Sequence, residues 1–239
     1  MKEYLYETHM HTSEISVCAS ATAVEQARLY KKLGYDGIII TDHFYNGNTE
    51  VPKDLPWEEW VNRFTVGYEK AKAEGDKIGL SVFFGWEESF HGNDFLVYGL
   101  DKEWLLDHPQ IINWEIKELY ENVNADGGYF VHAHPFREED YIKEIRLFPN
   151  HVHAVEVINS SHTNPKFDKR AIEYAKKHGL AMAAGSDAHH VNDLKGGMVF
   201  NHKLESIEDF IDAMRSGQDY KMVRDIRELS YRKGSREAN

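Results

Sequence analysis

His9 and His11 stand two residues apart in ETHMHT (7–12), directly after the strand-like run YLY. Residues two apart in an extended chain face the same way. Two imidazoles would then sit side by side where the strand ends, a spacing that suits a metal ion. Four more runs end in the same kind of residue. Asp42 and His43 follow GIIIT, Glu87 follows SVFFGW, His132 and His134 follow GGYFV, and Asp187 and His189 follow MAAGS. Imidazoles and carboxylates gathered on one face without partners would be desolvated and would repel one another. Cations remove that cost, so the pattern predicts a metal centre.

The elements that must position these residues alternate between strand-like and helix-like segments. Helices are expected over ATAVEQARLYKKLG with Gly34 as C-cap, over Trp57–Gly75, around Gln110–Asp126, over Glu138–Phe148, from Pro165 to Gly179 and over Glu205–Ser216. Between them lie seven strands: YLY, YDGIIITDHF, IGLSVFFGWEE, DFLVYGL, GGYFVHAHP, HAVEVIN and LAMAAGSDAHH. The third and fourth are short of linker and could turn through His91-Gly92-Asn93. Such alternation predicts parallel strands with helical crossovers, hence α/β. In a β/α barrel the C-terminal strand tips meet on one face, whereas an open sheet spreads them along a line. The polar residues at five tips therefore favour a distorted (β/α)7 TIM-like barrel, read as one domain over 1–239, with a frayed polar tail from Lys233.

Composition narrows the function classes. Acidic residues number 40 against 28 basic ones, a net charge of −12. Long nucleic acid is disfavoured as a partner by that balance, while small anions remain compatible if cations dominate the local field. No apolar run approaches a membrane span, and MKEYLYETHM lacks the apolar core of a secretion signal. Cys18 alone allows no internal disulfide, in keeping with a cytoplasmic setting. There is no signal for an oligomeric state. No nucleotide-binding glycine loop, His-Glu-x-x-His or Gly-x-Ser-x-Gly is present. His108, His178, His190 and His202 read as solvated or rim residues, and His151 and His153 precede a strand at the wrong end of a barrel. Trp57, Trp60 and Phe64 have the spacing of a helix's core face.

The set HMHT (9–12), TDH (41–43), Glu87, HAHPF (132–136) and GSDAH (185–189) resembles the PHP (polymerase and histidinol phosphatase) metallophosphoesterases over roughly residues 4–200. The resemblance implies a distorted seven-stranded barrel holding two or three divalent ions, zinc, manganese or iron. It implies that His9, His11, Glu87 and Asp187 hold one ion, that Glu87 bridges to a second ion bound also by His134, and that His43 and His189 belong to a third. Asp42 would orient a histidine. Two departures stand out. Where the family often has Asp or His a few residues past His-x-His, this chain has Val17 and Cys18, with Glu14 nearer. Where many members carry a histidine after strand four, this chain offers Asp101, with His91 or His132 as substitutes.

The expected chemistry is hydrolysis of a phosphoester by a hydroxide held between two cations, which also stabilise charge on the phosphoryl oxygens. Arg137 after HPF could grip a non-bridging oxygen, or pair on the surface with Glu138 or Asp140. His162 in NSSHTNP could protonate the leaving oxygen or line the rim. A small phosphorylated metabolite fits the length and charge: histidinol phosphate, a nucleoside monophosphate, a short oligonucleotide or a cyclic phosphate. Two alternatives rank lower. An amidohydrolase-type enzyme would bridge its metals with a modified lysine where this chain has Glu87, and a non-catalytic, metal-stabilised binding module would have less need of a complete first ligand set.

Overall fold

The computed structural model describes residues 2–140 and 142–229; the tail expected to fray from Lys233 lies outside them. One mixed sheet contains β1 (Tyr4–Glu7), β2 (Gly37–Ile40), β3 (Ser81–Phe90), β4 (Asn93–Tyr98), β5 (Tyr129–Ala133), β6 (Ala154–Asn159), β7 (Ala181–Gly185), β8 (Gly197–Phe200) and β9 (Tyr220–Val223). Their order is β7-β6-β5-β4-β3-β2-β1-β8-β9. The first seven are the expected strands, and the sheet curls into a nearly closed α/β barrel. Beyond Glu7 and Gly185 the two outer chains of the seven meet: Met10 bridges Ala188 in parallel, with His11 N–H donating to Ala188 O at 2.9 Å. At the other end the seam is filled differently, because β8 pairs antiparallel with β1, Tyr6 opposite Met198.

Glu7 holds that seam together. Its buried Oε1 accepts the backbone N–H groups of Thr8, His9 and Ser186 at 3.0, 3.0 and 2.8 Å. Tyr30 Oη donates to Oε2 at 3.0 Å. One carboxylate thus ties the turn carrying His9 and His11 to the turn carrying Asp187. The fit there is close: a Cβ on Gly185 would lie 2.5 Å from His9 Cβ and 2.7 Å from Glu156 Oε1, so only glycine admits the approach.

Helices cover the outside and one end. α1 (Ala23–Lys32) starts with a capping box between Thr22 and Glu25 and ends with Lys31 and Lys32 in its last turn, the order the helix dipole favours. The helix expected over Trp57–Gly75 is two, α2 (Trp57–Phe64) and α3 (Val66–Ile78). They meet at Thr65, whose hydroxyl bonds back to Val61 O at 3.2 Å, a bond that bends helices. α4 (Lys102–Asp107) was not expected, and where one helix was expected around Gln110–Asp126 there are a 3₁₀ turn (Pro109–Asn113) and α5 (Ile116–Ala125). α6 (Pro165–His178) has Asn164 as N-cap and Gly179 in the left-handed region at its end. α7 (Ile207–Ser216) packs Phe210, Ile211 and Met214 into the barrel interior with Tyr6, Tyr98 and Val131, plugging the end away from the histidines.

Two sequence expectations fail for identifiable reasons. The helix over Glu138–Phe148 does not form; apart from Tyr141, which is not described, the segment is irregular. Ile145 packs with Phe136 and Tyr174, whereas Phe148 packs with Phe90 and Phe95, so residues three apart serve different clusters and the chain is drawn out. β8 and β9 were not expected, each being four residues long and joined through α7. β4 runs antiparallel to β3, through a turn at His91 and Gly92 with φ of 49° and 81°. That departure from βα alternation matters for the site.

Candidate metal centre

Past β1, the His9 and His11 rings turn to the barrel mouth with their Nε2 atoms 3.3 Å apart. Each ring is fixed from behind. His9 Nδ1 lies 2.9 Å from Glu156 Oε1, so it carries the hydrogen and leaves Nε2 with its lone pair. His11 Nδ1 lies 3.2 Å from Ser16 Oγ. The Ser16 hydroxyl spends its own hydrogen on Asp42 Oδ1 at 2.8 Å, so it accepts from His11 and from His43 N–H. Asp42 also takes Thr12 N–H and Oγ–H at 2.6 and 2.7 Å. Asp42 thus reaches the His11 ring through Ser16. Gly67 of α3 lets the helix close over this pair: a Cβ there would lie 2.4 Å from Thr12 Oγ1.

Carboxylates face the two Nε2 atoms. Glu87 stands in the second half of β3, beyond the β2 pairing, with its N–H bonded to Asp42 O. Its Oε1 is 3.3 Å from His9 Nε2 and 3.2 Å from His134 Nε2, and its Oε2 is 2.7 Å from His43 Nδ1. Asp187 Oδ1 is 3.2 Å from His11 Nε2 and 3.5 Å from His9 Nε2. Arg137 bonds Asp187 Oδ2 and, at 2.8 Å, Ser161 Oγ. Among the described residues three groups form in which the ligand atoms lie within 4.8 Å of one another: His9, Glu87 and His134; His9, His11 and Asp187; and His11, His43 and His189.

Backbone conformation decides which histidine of HAHPF reaches the mouth. Along β5, Val131 and Ala133 face the barrel interior while Phe130 faces the outer cluster. His132 follows Phe130 outward and stacks on Phe95 at 4.7 Å, with neither ring nitrogen hydrogen-bonded among the described residues. His134 would follow it, but its φ of 26° turns the side chain to the mouth. Asp187 has φ of 54°. Left-handed backbone at non-glycine residues is costly and collects at functional sites.

The electrostatics match ligands awaiting positive charge. Burial acts to raise the Glu87 carboxyl, but His43 and His9 outweigh it and hold it well below the usual range. Burial likewise opposes ionisation of Asp187, and Arg137 and His9 reverse it. Burial acts to lower His9, yet Glu156, Asp187 and Glu87 hold it well above the ordinary value. His11 goes the other way, lowered by burial and then by the His189 and His43 charges. A cation bound by the Nε2 lone pairs would supply the positive charge that the carboxylates draw onto His9, and the donor set of imidazole and carboxylate fits zinc, manganese or iron.

The remaining candidates divide. Cys18 Sγ lies 3.3 Å from His43 Nε2, on the third group. Asp101 instead caps α4, accepting Trp104 N–H at 2.9 Å. It lies at the far end because β4 is antiparallel and its C-terminus points away from the mouth. The start of β4 supplies Asp94, which the sequence reading missed; its Oδ2 is 4.0 Å from His134 Nε2, and Ser89 Oγ donates to Oδ1. His91 is exposed in the hairpin turn, and His132 faces outward. Glu14 accepts Ala23 N–H at the start of α1. Glu156 and Ser16 were also missed. Glu156 sits two residues into an apolar strand, where its polarity against the pattern was the one available signal. Among the described residues no helix is long and apolar enough to cross a membrane.

Comparison with known proteins agrees with this architecture. A family model described as PHP-associated matches residues 166–218. Over 86 residues the chain is 37% identical to an uncharacterised protein of Methanocaldococcus jannaschii, a match covering 33% of this chain and 36% of that one. It therefore spans about a third of the length of that relative. Among solved structures, a two-domain protein of Bacteroides vulgatus containing a predicted PHP-like metal-dependent phosphoesterase aligns with TM-score 0.70 and 16% identity, over 92% of this chain and 64% of that one. A Bifidobacterium adolescentis protein described as a candidate metal-dependent phosphoesterase aligns with TM-score 0.56 and 16% identity, over 89% and 96%. An amidohydrolase of Chromobacterium violaceum, solved with sulfate and without metal, gives 0.51 and 15%, over 77% and 87%. These structures share the fold. The motifs at its strand ends resemble those of the PHP domain family, and the PHP-associated match overlaps the last of them, GSDAH (185–189).

Proposed function

We propose that this chain is a metal-dependent phosphoesterase acting on a small phosphorylated metabolite. The observation that carries the reading is the sharing of ligands: His9 belongs to two adjacent groups of cation-binding size, and Glu87 Oε1 lies between His9 and His134. Side chains so arranged suit two neighbouring cations, the requirement for in-line displacement at phosphorus. In this reading His9, His11, Glu87 and Asp187 hold the first ion. Glu87 and His134, with Asp94 nearby, hold the second, and His43, His189 and Cys18 serve a third.

Bound divalent cations would supply Lewis acidity and a water of lowered pKa. The chain's own residues do the rest. Glu156 and Ser16 keep the Nε2 lone pairs of His9 and His11 pointed inward. Arg137 presents a planar fork at the cluster edge, suited to a non-bridging phosphoryl oxygen. His162, buried on the loop after β6, is assigned to the leaving-group side. The net charge of −12 disfavours long polyanions and leaves small phosphate esters. In this reading Glu87, whose Oε1 lies 3.3 Å from His9 Nε2 and 3.2 Å from His134 Nε2, takes the bridging position that an amidohydrolase gives to a modified lysine.

The test is metal analysis of the purified protein together with a screen of phosphorylated metabolites, including monoesters and diesters, with zinc, manganese and iron. Stoichiometric metal and turnover of at least one small ester are expected. A protein that binds no metal and turns over no ester after metal addition would be a binding module instead.

A further inference from the structure

His162 lies beside the metal centre but outside its three ligand groups. Its ring centroid is 6.4 Å from that of His134, and it meets Phe167 edge-on. Nδ1 lies 2.7 Å from Oδ1 of Asp168, in the first turn of α6. Asp168 Oδ2 accepts from Arg224 Nη1, and Arg224 Nη2 returns to the carbonyl of His162 at 2.5 Å. The three residues close a ring. A carboxylate only accepts, so in the neutral ring Nδ1 carries the hydrogen and Nε2 is the atom that takes up and gives back a proton. Among the described residues that Nε2 has no hydrogen-bond partner, and it is buried on a residue only 8% exposed. A clamp on the opposite side of the ring holds it in this orientation. The loop borders the reaction space, since Ser161 accepts from Arg137 and lies 3.5 Å from Asp187 Oδ2.

We infer that His162 is the proton donor to the leaving oxygen, and that Asp168 and Arg224 are its positioning residues, the latter bringing the segment after β9 into the site. This rests on the phosphoesterase reading. As the bond from phosphorus to the leaving oxygen breaks, its electron pair stays on oxygen, which takes the Nε2 proton of the imidazolium. The alcohol departs neutral, the ring returns to the Nδ1–H form, and solvent restores the Nε2 proton. Asp168 stabilises the charged ring, and Arg224 holds the carboxylate against it.

Leaving-group dependence tests the assignment. An alkyl ester needs the proton, whereas a p-nitrophenolate departs readily without it. With metal-loaded protein, Asp168→Asn should lower kcat on glycerol 2-phosphate by about 100-fold, within the usual range for general acid catalysis. The loss should exceed that on p-nitrophenyl phosphate by tenfold or more, and Arg224→Gln should shift the same ratio in the same direction. Imidazole ¹⁵N–¹H spectra of the metal-free protein should show His162 as the Nδ1–H tautomer, and Asp168→Asn should abolish that preference. Equal losses on both esters would mark a structural role and overturn the inference, as would no loss on either. Wild-type protein inactive on both esters with every metal would instead remove the phosphoesterase reading, and the inference with it.

Discussion

His9 Nδ1 and Glu156 Oε1 lie 2.9 Å apart across the barrel mouth, both fully or nearly fully buried. The same carboxylate takes His134 N–H and Asn159 Nδ2–H on its other oxygen, so one residue orients a ring and pins a second ligand's backbone. Partners of this kind raise ligand basicity and fix the tautomer, and their loss usually costs about 10–100-fold in metal affinity. Glu156→Gln should therefore weaken the first ion by that factor while the protein stays folded. Competition titration with a chromophoric chelator measures it, and unchanged affinity would remove the role.

Direct ligands should behave more severely. His9→Ala and Asp187→Ala are each expected to reduce turnover of an aryl phosphate to background, with circular dichroism and gel-filtration profiles close to wild type. The fold is held by the apolar clusters and by Glu7, which these substitutions leave in place. Wild-type-like turnover in both variants would reject the assignment of these residues to the chemistry.

Much of this geometry was legible in the sequence because barrel topology turns distance along the chain into proximity at one rim. His9, His11, His43, Glu87, Asp187 and His189 follow apolar runs that end at one rim, and His134 joins them through its own backbone turn. The parts that were hidden depend on direction or on conformation. Asp94 could not be found without knowing that β4 runs antiparallel, which also sends Asp101 to the far end. The choice of His134 over His132 rests on one left-handed residue that period-2 reasoning does not foresee. Glu7 reads as the last polar residue of a strand, and only the closed seam shows its three backbone bonds. The antiparallel pair β8 and β9 was missed because two four-residue strands carry almost no periodic signal.

Arg137 touches a metal-ligand candidate and the loop of His162 at once. Its planar fork should bind a phosphoryl oxygen better than an ammonium can. Arg137→Lys is expected to lower kcat/KM on a phosphate ester by about 10–100-fold, the order of one or two charge-assisted hydrogen bonds. Metal stoichiometry should be unchanged. Inductively coupled plasma analysis alongside steady-state kinetics separates the two effects; loss of metal together with activity would place Arg137 in support of Asp187 rather than on substrate.

Cys18 distinguishes the third group from the other two. Its thiol is lowered to about 6 even though burial opposes ionisation, because His189 and His43 both bond it. A thiolate beside two imidazoles favours zinc or cobalt over manganese. Cobalt-loaded protein should show a near-ultraviolet thiolate charge-transfer band that Cys18→Ser abolishes, with the cobalt content falling by one equivalent at limiting metal. Persistence of both the band and the full cobalt content in Cys18→Ser would exclude the sulfur from the site.

His132 supplies a stability prediction with a definite sign. Burial, and then the neighbouring His134 charge, lowers it to about 3, against an ordinary value near 6.5. Between those values the unfolded chain binds a proton that the folded chain does not, so stability is lost as pH falls from about 6.5 toward 3. His132→Leu removes that proton uptake, and two nitrogens without hydrogen-bond partners among the described residues, from a pocket walled by Phe95 and Phe148. Such a change should be neutral to stabilising by about 1 kcal/mol at pH 7. It should also flatten the acid limb of a Tm-against-pH curve. Measured on metal-free protein, the curve isolates this residue from ligand protonation common to both forms. A variant with the same acid limb as wild type would show that His132 does not stay neutral in the folded state.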